Sequence, residues 1–320
     1  RLVGSILILL LAASFVAAAP ADAKVEQMPE CPKFDFDMYS GYLTVNSTKK
    51  LHYFLAESKD KPETDPLLLW FNGGPGCSSL LGLMQEHGPC VIDDGETELK
   101  ENPFPWNVRA NVLYIEAPAG VGFSYAETSE DRKFNDLLSS HDNLQAVKDF
   151  LKQFPEYADR DLYISGESYA GIYVPYLAMR IHQHNEMAKL NHRQPINLKG
   201  IAVGNGATDW KYDTTPSYLP MAYNHQLMDR ELYDTLVENN CTWYFRDVLP
   251  GNHPKVCQHA YATFNKNTAR INWYDIYRPV YDGALFQESV GETTIAGEKR
   301  FYKRGYKMTD YAPWLKDQYG

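Results

Sequence analysis

The sequence lacks a long apolar run beyond its first residues, a cysteine pair with zinc spacing, and an excess of positive charge. The apolar run at residues 6–16 is too short to span a bilayer. The 320 residues include 41 acidic and 31 basic side chains, a formal charge of −10 with histidine neutral. This balance argues against nucleic acid or an anionic membrane as a partner.

The composition is that of a globular protein, because 44% of the residues are apolar and 13% are aromatic. A chain of this length can bury one large α/β core, or a core with a subdomain. These values exclude a disordered or fibrous protein.

Residues 1–23 have the features of a secretory signal peptide. Arg1 precedes the apolar run, and small residues follow it up to Ala21-Asp22-Ala23, an A-x-A cleavage pattern. We expect cleavage after Ala23 or Ala19; the alternative is a membrane anchor, which the short run disfavours. The absence of an initiating Met indicates that the sequence is incomplete at this end. We expect a protein of the secretory pathway, lysosomal or extracellular.

Secretion gives meaning to two sequons and five cysteines. Asn46 and Asn240 each begin an Asn-x-Ser/Thr triplet, and we expect both to carry surface glycans. Cys241 and Cys257 are the expected local disulfide of an oxidising compartment. Three further cysteines leave one thiol without a partner: Cys31, Cys77 and Cys90.

Short apolar runs alternate with turns in the manner of an α/β protein. Four of them, each followed by a Gly-rich or Pro-rich turn, predict parallel strands at residues 67–71, 112–115, 162–164 and 201–203. Two β-rich runs, 39–45 and 51–56, precede them. Apolar residues at helical spacing between 134 and 154 predict a long amphipathic helix that ends before Pro155.

The segment GESYAG, residues 166–171, lies between a predicted strand and the next apolar stretch. A serine between small residues at a strand-to-helix junction is typical of a nucleophile elbow. Gly166 and Ala170 then allow a tight backbone that exposes the hydroxyl. Ser168 is the predicted nucleophile, and the backbone N–H of Tyr169 is a predicted oxyanion donor.

The segment WFNGGPGCSS, residues 70–79, overlaps the end of the predicted strand 67–71. Two glycines just past a strand let the chain turn with its N–H groups exposed, and Gly74 is the predicted second oxyanion donor.

With these two segments in this order and spacing, the chain resembles the serine carboxypeptidases, the group of cathepsin A and the yeast and plant acid carboxypeptidases. Further similar segments are YSGYL at 39–43, EAPAGVGFS at 116–124 and GNG at 204–206. The resemblance implies an α/β-hydrolase fold, with a mostly parallel sheet and an inserted cap, incomplete at the C-terminus. After the signal peptide at 1–23, it implies a core at 24–209, a cap at 210–305 and a truncated return to the core at 306–320.

The basic segment 299–307, at the end of the expected cap, is open to two interpretations. One is a loop for proteolytic processing, and the other, which we favour, is a solvated run of charges.

The resemblance also implies a site for a free C-terminal carboxylate. Asn72 and Glu167 match the family's carboxylate-binding Asn and elbow Glu, and Glu86 falls where the family has its partner acid. An amide and acids kept protonated by mutual proximity can bind a carboxylate. Each residue alone also has an ordinary interpretation, as a turn former, an exposed helix residue or a solvated side chain. Together they favour an exopeptidase over an endopeptidase or esterase.

The family's catalytic histidine lies in a Gly-His-x-(Val/Leu)-Pro segment, and this sequence contains none. The triad acid and histidine follow the serine in this fold, but the last histidine here is His259, in the expected cap. We therefore expect a fragment that lacks the triad Asp and His and is inactive alone; the alternative is a short protein that has lost catalysis. Relatives tie the cysteine at the position of Cys77 to a distant C-terminal one, so Cys77 is the thiol expected to lack its partner.

The expected function is a serine carboxypeptidase that releases C-terminal amino acids from peptides or proteins through an acyl-enzyme at Ser168. No metal or organic cofactor is implied. The alternatives are a carboxypeptidase-like acyltransferase and a non-catalytic protective or binding protein. A homodimer is one assembly that we consider.

Overall fold

The computed structural model describes residues 20–92, 98–209, 212–213, 215–241, 254–277, 290–295 and 298–303. Most of the predicted signal peptide and all of the predicted return at 306–320 lie outside these residues. The chain divides into two compact units, Arg1–Gly206 and Ala207–Gly320. The roles of core and cap, with their boundary after residue 209, stay predictions.

The described strands of the first unit are β1 (Met38–Thr44), β2 (Lys49–Ala56), β3 (Leu67–Phe71), β4 (Cys90–Val91), β5 (Lys100–Glu101), β6 (Asn111–Ile115), β7 (Tyr125–Ala126), β8 (Leu162–Glu167) and β9 (Leu198–Gly204). Its long helices are α1 (Asp136–Gln153) and α2 (Ala170–Leu190). Short helical turns lie at Ala21–Ala23, Gly82–Glu86, Trp106–Val108 and Pro155–Tyr157.

The main sheet has the order β1-β2-β6-β3-β8-β9, with β7 beside β2. Strands β6, β3, β8 and β9 are parallel, whereas β1 and β2 form an antiparallel pair and β2 runs antiparallel to β6. The predicted mostly parallel sheet is therefore confirmed. Because the carboxyl ends of β3 and β8 meet at one edge, the segments 70–79 and 166–171 lie side by side.

Alternate residues of the central strands enter two different cores, since successive side chains of a strand point to opposite faces. Leu69 and Leu113 face the side where Phe150 of α1 and Leu177 of α2 are buried. Residues of the opposite face form a second cluster: Trp70, Leu83, Cys90, Val112 and Tyr114. Burial on both faces explains why these strands are almost continuously apolar.

The second unit contains α3 (Thr215–Asn224), α4 (Arg230–Glu238), α5 (Lys255–Asn267) and a hairpin of β10 (Val290–Ile295) and β11 (Glu298–Lys303). Asp229 caps α4 by accepting a hydrogen bond from Leu232 N at 2.8 Å. The expected Cys241–Cys257 disulfide is present and connects the end of α4 to α5. Residues 299–303 of the basic segment lie in a strand, and 304–307 lie outside the described residues. No helix of the described residues is long and apolar enough to cross a membrane.

Candidate active site

Ser168 lies in the turn between β8 and α2 with a positive φ of 59°. This left-handed conformation is uncommon for a residue with a side chain and persists only where the surroundings enforce it. Ser168 N donates to Gly204 O at 3.1 Å, and Ser168 O accepts from Gly171 N at 3.0 Å. The predicted elbow is therefore a sharp turn that is fixed on both sides.

Two glycines let the neighbouring segments approach this turn. A Cβ on Gly166 would lie 2.5 Å from Phe71 O and 2.6 Å from the Cβ of Ala170. A Cβ on Gly73 would overlap the backbone nitrogen of Tyr169. Only glycine fits at either position, so the glycine loop after β3 lies directly against the elbow.

The predicted oxyanion donors belong to these two adjoining segments. Gly74 follows Gly73 with a positive φ of 111°, and among the described residues its N–H has no acceptor. Tyr169 follows Ser168 at the start of α2, where helix amides favour negative charge. The arrangement is compatible with two N–H groups facing one oxygen, and their catalytic role stays a prediction.

The side chain of Asn72 is held in one orientation by its oxygen. Oδ1 accepts from Trp70 Nε1 at 2.8 Å and from the backbone N of Gly82 at 2.9 Å. The Nδ2 group then points to two carboxylates, at 2.8 Å from Glu86 Oε1 and 3.2 Å from Glu167 Oε1. The structure thus brings together three residues that are 14 and 95 positions apart.

Glu86 is the last residue of the helical turn Gly82–Glu86, a π-helix. A Cβ on Gly82 would overlap the indole nitrogen of Trp70 and lie 3.0 Å from Asn72 Oδ1. Glycine at this position therefore lets the turn lie close enough to carry Glu86 to Asn72. Single π turns of this kind are frequent at functional sites.

Two effects raise the pKa of Glu86 above that of a free glutamate: burial of the carboxyl group first, and then the charge of Glu167. The hydrogen bond from Asn72 opposes them by favouring the ionised form. Glu86 is exposed as a residue, but its carboxyl group lies against the protein. The protonated form is therefore more available here than in water.

A second group of polar side chains, which the sequence analysis did not identify, surrounds Glu116 at the end of β6. Glu116 is completely buried and accepts hydrogen bonds from Ser78 Oγ, from His52 Nδ1 at 3.0 Å and from Phe123 N at 2.9 Å. A signal was present, because an acidic residue directly after an apolar strand and before a glycine-rich turn needs partners.

The cysteines of the first unit resolve the pairing that the sequence left open. Cys31 and Cys90 form a disulfide with a Cα–Cα distance of 6.1 Å, and Cys77 is free and exposed. Partial burial of the sulfur, and then the charge of Glu167, raise the pKa of Cys77. A raised pKa disfavours the reactive thiolate.

Both predicted glycosylation sites are exposed. Asn46 lies in the turn between β1 and β2, where its Nδ2 donates to Asp131 Oδ1 at 3.2 Å. Asn240 follows α4 with a positive φ of 49°. Glycosylation of either residue stays a prediction.

Among the described residues, no side chain makes a hydrogen bond to the Ser168 hydroxyl. His52 contacts Glu116 and Ser40, and His87 contacts Tyr114 at 3.1 Å. The described part of the first unit therefore places a predicted nucleophile and carboxylate site together without a histidine bonded to the serine.

Comparison with known proteins agrees with this geometry. The family model described as serine carboxypeptidase matches residues 29–319. The chain is 40% identical over 300 residues to the mouse lysosomal protective protein, covering 91% of this chain and 59% of that protein. It is 41% identical over 274 residues to a Caenorhabditis elegans serine carboxypeptidase, covering 84% of this chain and 56% of that protein.

Among solved structures, a prohormone-processing carboxypeptidase of Saccharomyces cerevisiae matches with a TM-score of 0.55 and 26% identity, over 73% of this chain and 53% of that one. The fold is that of an α/β hydrolase. More particularly, the chain belongs to the serine carboxypeptidase family. It spans less than two thirds of the length of the curated relatives that it matches.

Proposed function

We propose that this protein is a serine carboxypeptidase that releases C-terminal amino acids from peptides through an acyl-enzyme at Ser168. The observation that carries the proposal is the Asn72 amide, which binds Glu86 and Glu167 next to the elbow. An enzyme that removes terminal residues must recognise a free carboxylate near its nucleophile. Family membership supports the same activity.

In the proposed reaction, Ser168 Oγ attacks the last peptide carbonyl and loses its proton to a general base. The N–H groups of Gly74 and Tyr169 stabilise the oxyanion. Collapse of the intermediate breaks the C–N bond, and the base returns the proton to the departing amine. Water then hydrolyses the ester and restores the serine.

The carboxylate of the substrate is bound by neutral donors in this proposal. In the free protein both N–H groups of Asn72 Nδ2 donate to the two glutamates. On binding, one of these N–H groups turns to the substrate carboxylate, and protonated Glu86 supplies an O–H. The raised pKa of Glu86 keeps this donor available at mildly acidic pH. An ionised pair would repel the same carboxylate, so binding should weaken as the pH rises.

The general base belongs, in this proposal, to a part of the protein beyond the described residues of the first unit. We further propose that the triad acid and histidine lie outside residues 24–320 and that these residues alone therefore do not turn over peptides. Organophosphate labelling of Ser168 in those residues is expected to fail for the same reason. Robust turnover by residues 24–320 would overturn this part of the proposal.

We also propose a lysosomal or extracellular location and peptide or protein C-termini as partners. The lysosomal name of the mouse relative favours the first location. Immunolocalisation of the tagged protein, with and without its first 23 residues, tests this assignment.

The experiment that tests the activity compares an N-blocked dipeptide acid with the corresponding amide. We expect the complete protein to release the C-terminal amino acid from the acid, and Ser168→Ala to abolish release without weakening binding. Ser58→Ala, a buried serine that contacts Asp65 before β3, is the control and should retain turnover. Release that persists in Ser168→Ala would contradict the proposal, and transfer from an acyl-glucose donor in place of hydrolysis would favour the acyltransferase.

A further inference from the structure

Two consecutive serines connect the segment 70–79 to the end of β6. Ser79 Oγ donates to Ile115 O at 2.6 Å and accepts from Asn72 N at 3.1 Å. Ser78 Oγ donates to the Glu116 carboxylate and accepts from Leu80 N at 3.2 Å. The backbone between Asn72 and the next helical turn is therefore attached to one strand end through two adjacent hydroxyls.

Ser78 lies between the two parts of the proposed site. The glycine loop with Gly74 precedes it, and the turn that carries Glu86 follows it, with Leu81 N bonded to Ser78 O at 3.1 Å. Any displacement of Ser78 would therefore move the predicted oxyanion donor and the predicted carboxylate ligand together.

Glu116 is well suited to fix Ser78, because its own position is determined from several directions. His52 Nδ1 and Phe123 N donate to it, and His52 Nε2 is 2.9 Å from Ser40 Oγ. A Cβ on Gly122 would overlap the carboxylate, so glycine with a φ of 53° leaves the room that Glu116 occupies. A buried carboxylate with several donors has one low-energy arrangement.

We propose that Glu116 is a positioning residue that, through Ser78, sets the distance between the glycine loop and the turn bearing Glu86. This inference rests on the proposed function, which assigns roles to Gly74 and Glu86. Glu116 does not touch the substrate in this proposal. Its effect on the reaction is transmitted by the hydrogen bond of Ser78.

Ser78→Ala tests this inference, and Ser58→Ala is its matched control. Ser58 Oγ also donates to a carboxylate, Asp65 Oδ2 at 2.5 Å, and also accepts from the backbone N two residues later, Asp60 N at 3.2 Å. Both variants therefore remove a hydroxyl that donates to a carboxylate and accepts from a backbone N–H. Asp65 precedes β3, so the control lies at the opposite edge of the sheet.

We expect Ser78→Ala to increase amide hydrogen exchange in residues 73–83 about tenfold and to leave the exchange of β1 and β2 unchanged. It should also weaken binding of an N-blocked dipeptide acid several-fold, and Ser78→Thr should restore both properties. Ser58→Ala should lower the Tm about as much as Ser78→Ala does. It should change neither the exchange of residues 73–83 nor the binding of the dipeptide acid. The exchange measurement needs no ligand, so failure of the wild type to bind the dipeptide would refute the proposed function alone.

Equal exchange of residues 73–83 in Ser78→Ala and Ser58→Ala would overturn the positioning role. Glu116→Gln provides a second variant, which keeps the volume of the side chain and removes its charge. We expect it to increase exchange in the same segment at least as much as Ser78→Ala. Unchanged exchange in a folded Glu116→Gln protein would also contradict the inference.

Discussion

The carboxylates at the ends of neighbouring strands differ in how their hydrogen-bonding capacity is met. Glu116 is fully buried and receives three donors from three separate segments. Glu86 and Glu167 share one amide, that of Asn72, and both are at least partly open to solvent.

This difference distinguishes a carboxylate with a structural role from carboxylates that are able to bind a ligand. A carboxylate with all its partners inside the protein has little capacity left for a ligand, and losing it leaves several donors unpaired. Two acids that share one donor gain by taking up a proton and binding a further group. The same residue type therefore serves stability at Glu116 and, in our proposal, recognition at Glu86 and Glu167.

The comparison predicts its largest effect for removal of Glu116. Glu116→Ala should lower the free energy of unfolding by about 3 kcal/mol, because it leaves the donors of Ser78, His52 and Phe123 without an acceptor. Urea denaturation at pH 7 measures the change. Glu86→Ala is the counterpart. It should lower the free energy of unfolding by less than about 1 kcal/mol, because Glu86 is exposed. Similar losses in the two variants would remove the distinction.

The next largest effect is expected for Asn72, which orients the acid pair. Asn72→Ala should weaken binding of an N-blocked dipeptide acid by about tenfold or more, because it removes the N–H that donates to the substrate carboxylate. Isothermal titration measures the affinity. Asn102→Ala removes another buried amide, which bonds Gly88 O and Phe104 N, and should leave the affinity unchanged. Equal affinities of both variants would argue against Asn72 as a ligand.

The smallest effect concerns how Glu86 changes the stability of the protein as a function of pH. The raised pKa of Glu86 means that the folded state holds its proton more tightly than the unfolded state. The wild type should therefore lose stability as the pH rises above the normal pKa of a glutamate. Glu86→Gln removes this loss, so it should stabilise at pH 7 by less than about 1 kcal/mol, and by less still at pH 4. A destabilised variant at pH 7 would mean that ionised Glu86 is favourable.

Much of the fold could be predicted from local sequence patterns. The central strands are buried on both faces, so each one is a short, nearly continuous apolar run that is visible in the sequence. The run at 67–71 agrees with β3, and the predicted helix before Pro155 agrees with α1, which ends at Gln153. The two-residue strand β7 was not predicted, since Tyr125–Ala126 is too short to show a period and is defined by its pairing with β2.

The site also has a part that the sequence predicts and a part that it does not. Ser168 and the glycine loop lie in continuous segments whose backbone requirements are visible in the sequence. The Glu116 group was missed because His52, Ser78 and Glu116 come from three segments, and only the sheet order places them together. The Cys31–Cys90 pair was also undecided, since its separation of 59 residues gives no local signal.

The most direct test of the central claim is the pH dependence of dipeptide binding. The account predicts that the affinity of the wild type for an N-blocked dipeptide acid falls several-fold between pH 5 and pH 7, whereas that for the amide changes little. The Glu86→Gln and Glu167→Gln double variant keeps neutral donors at every pH, so its affinity for the acid should not fall. Identical profiles of wild type and double variant for the acid would contradict the assignment of Glu86 and Glu167 as the carboxylate site.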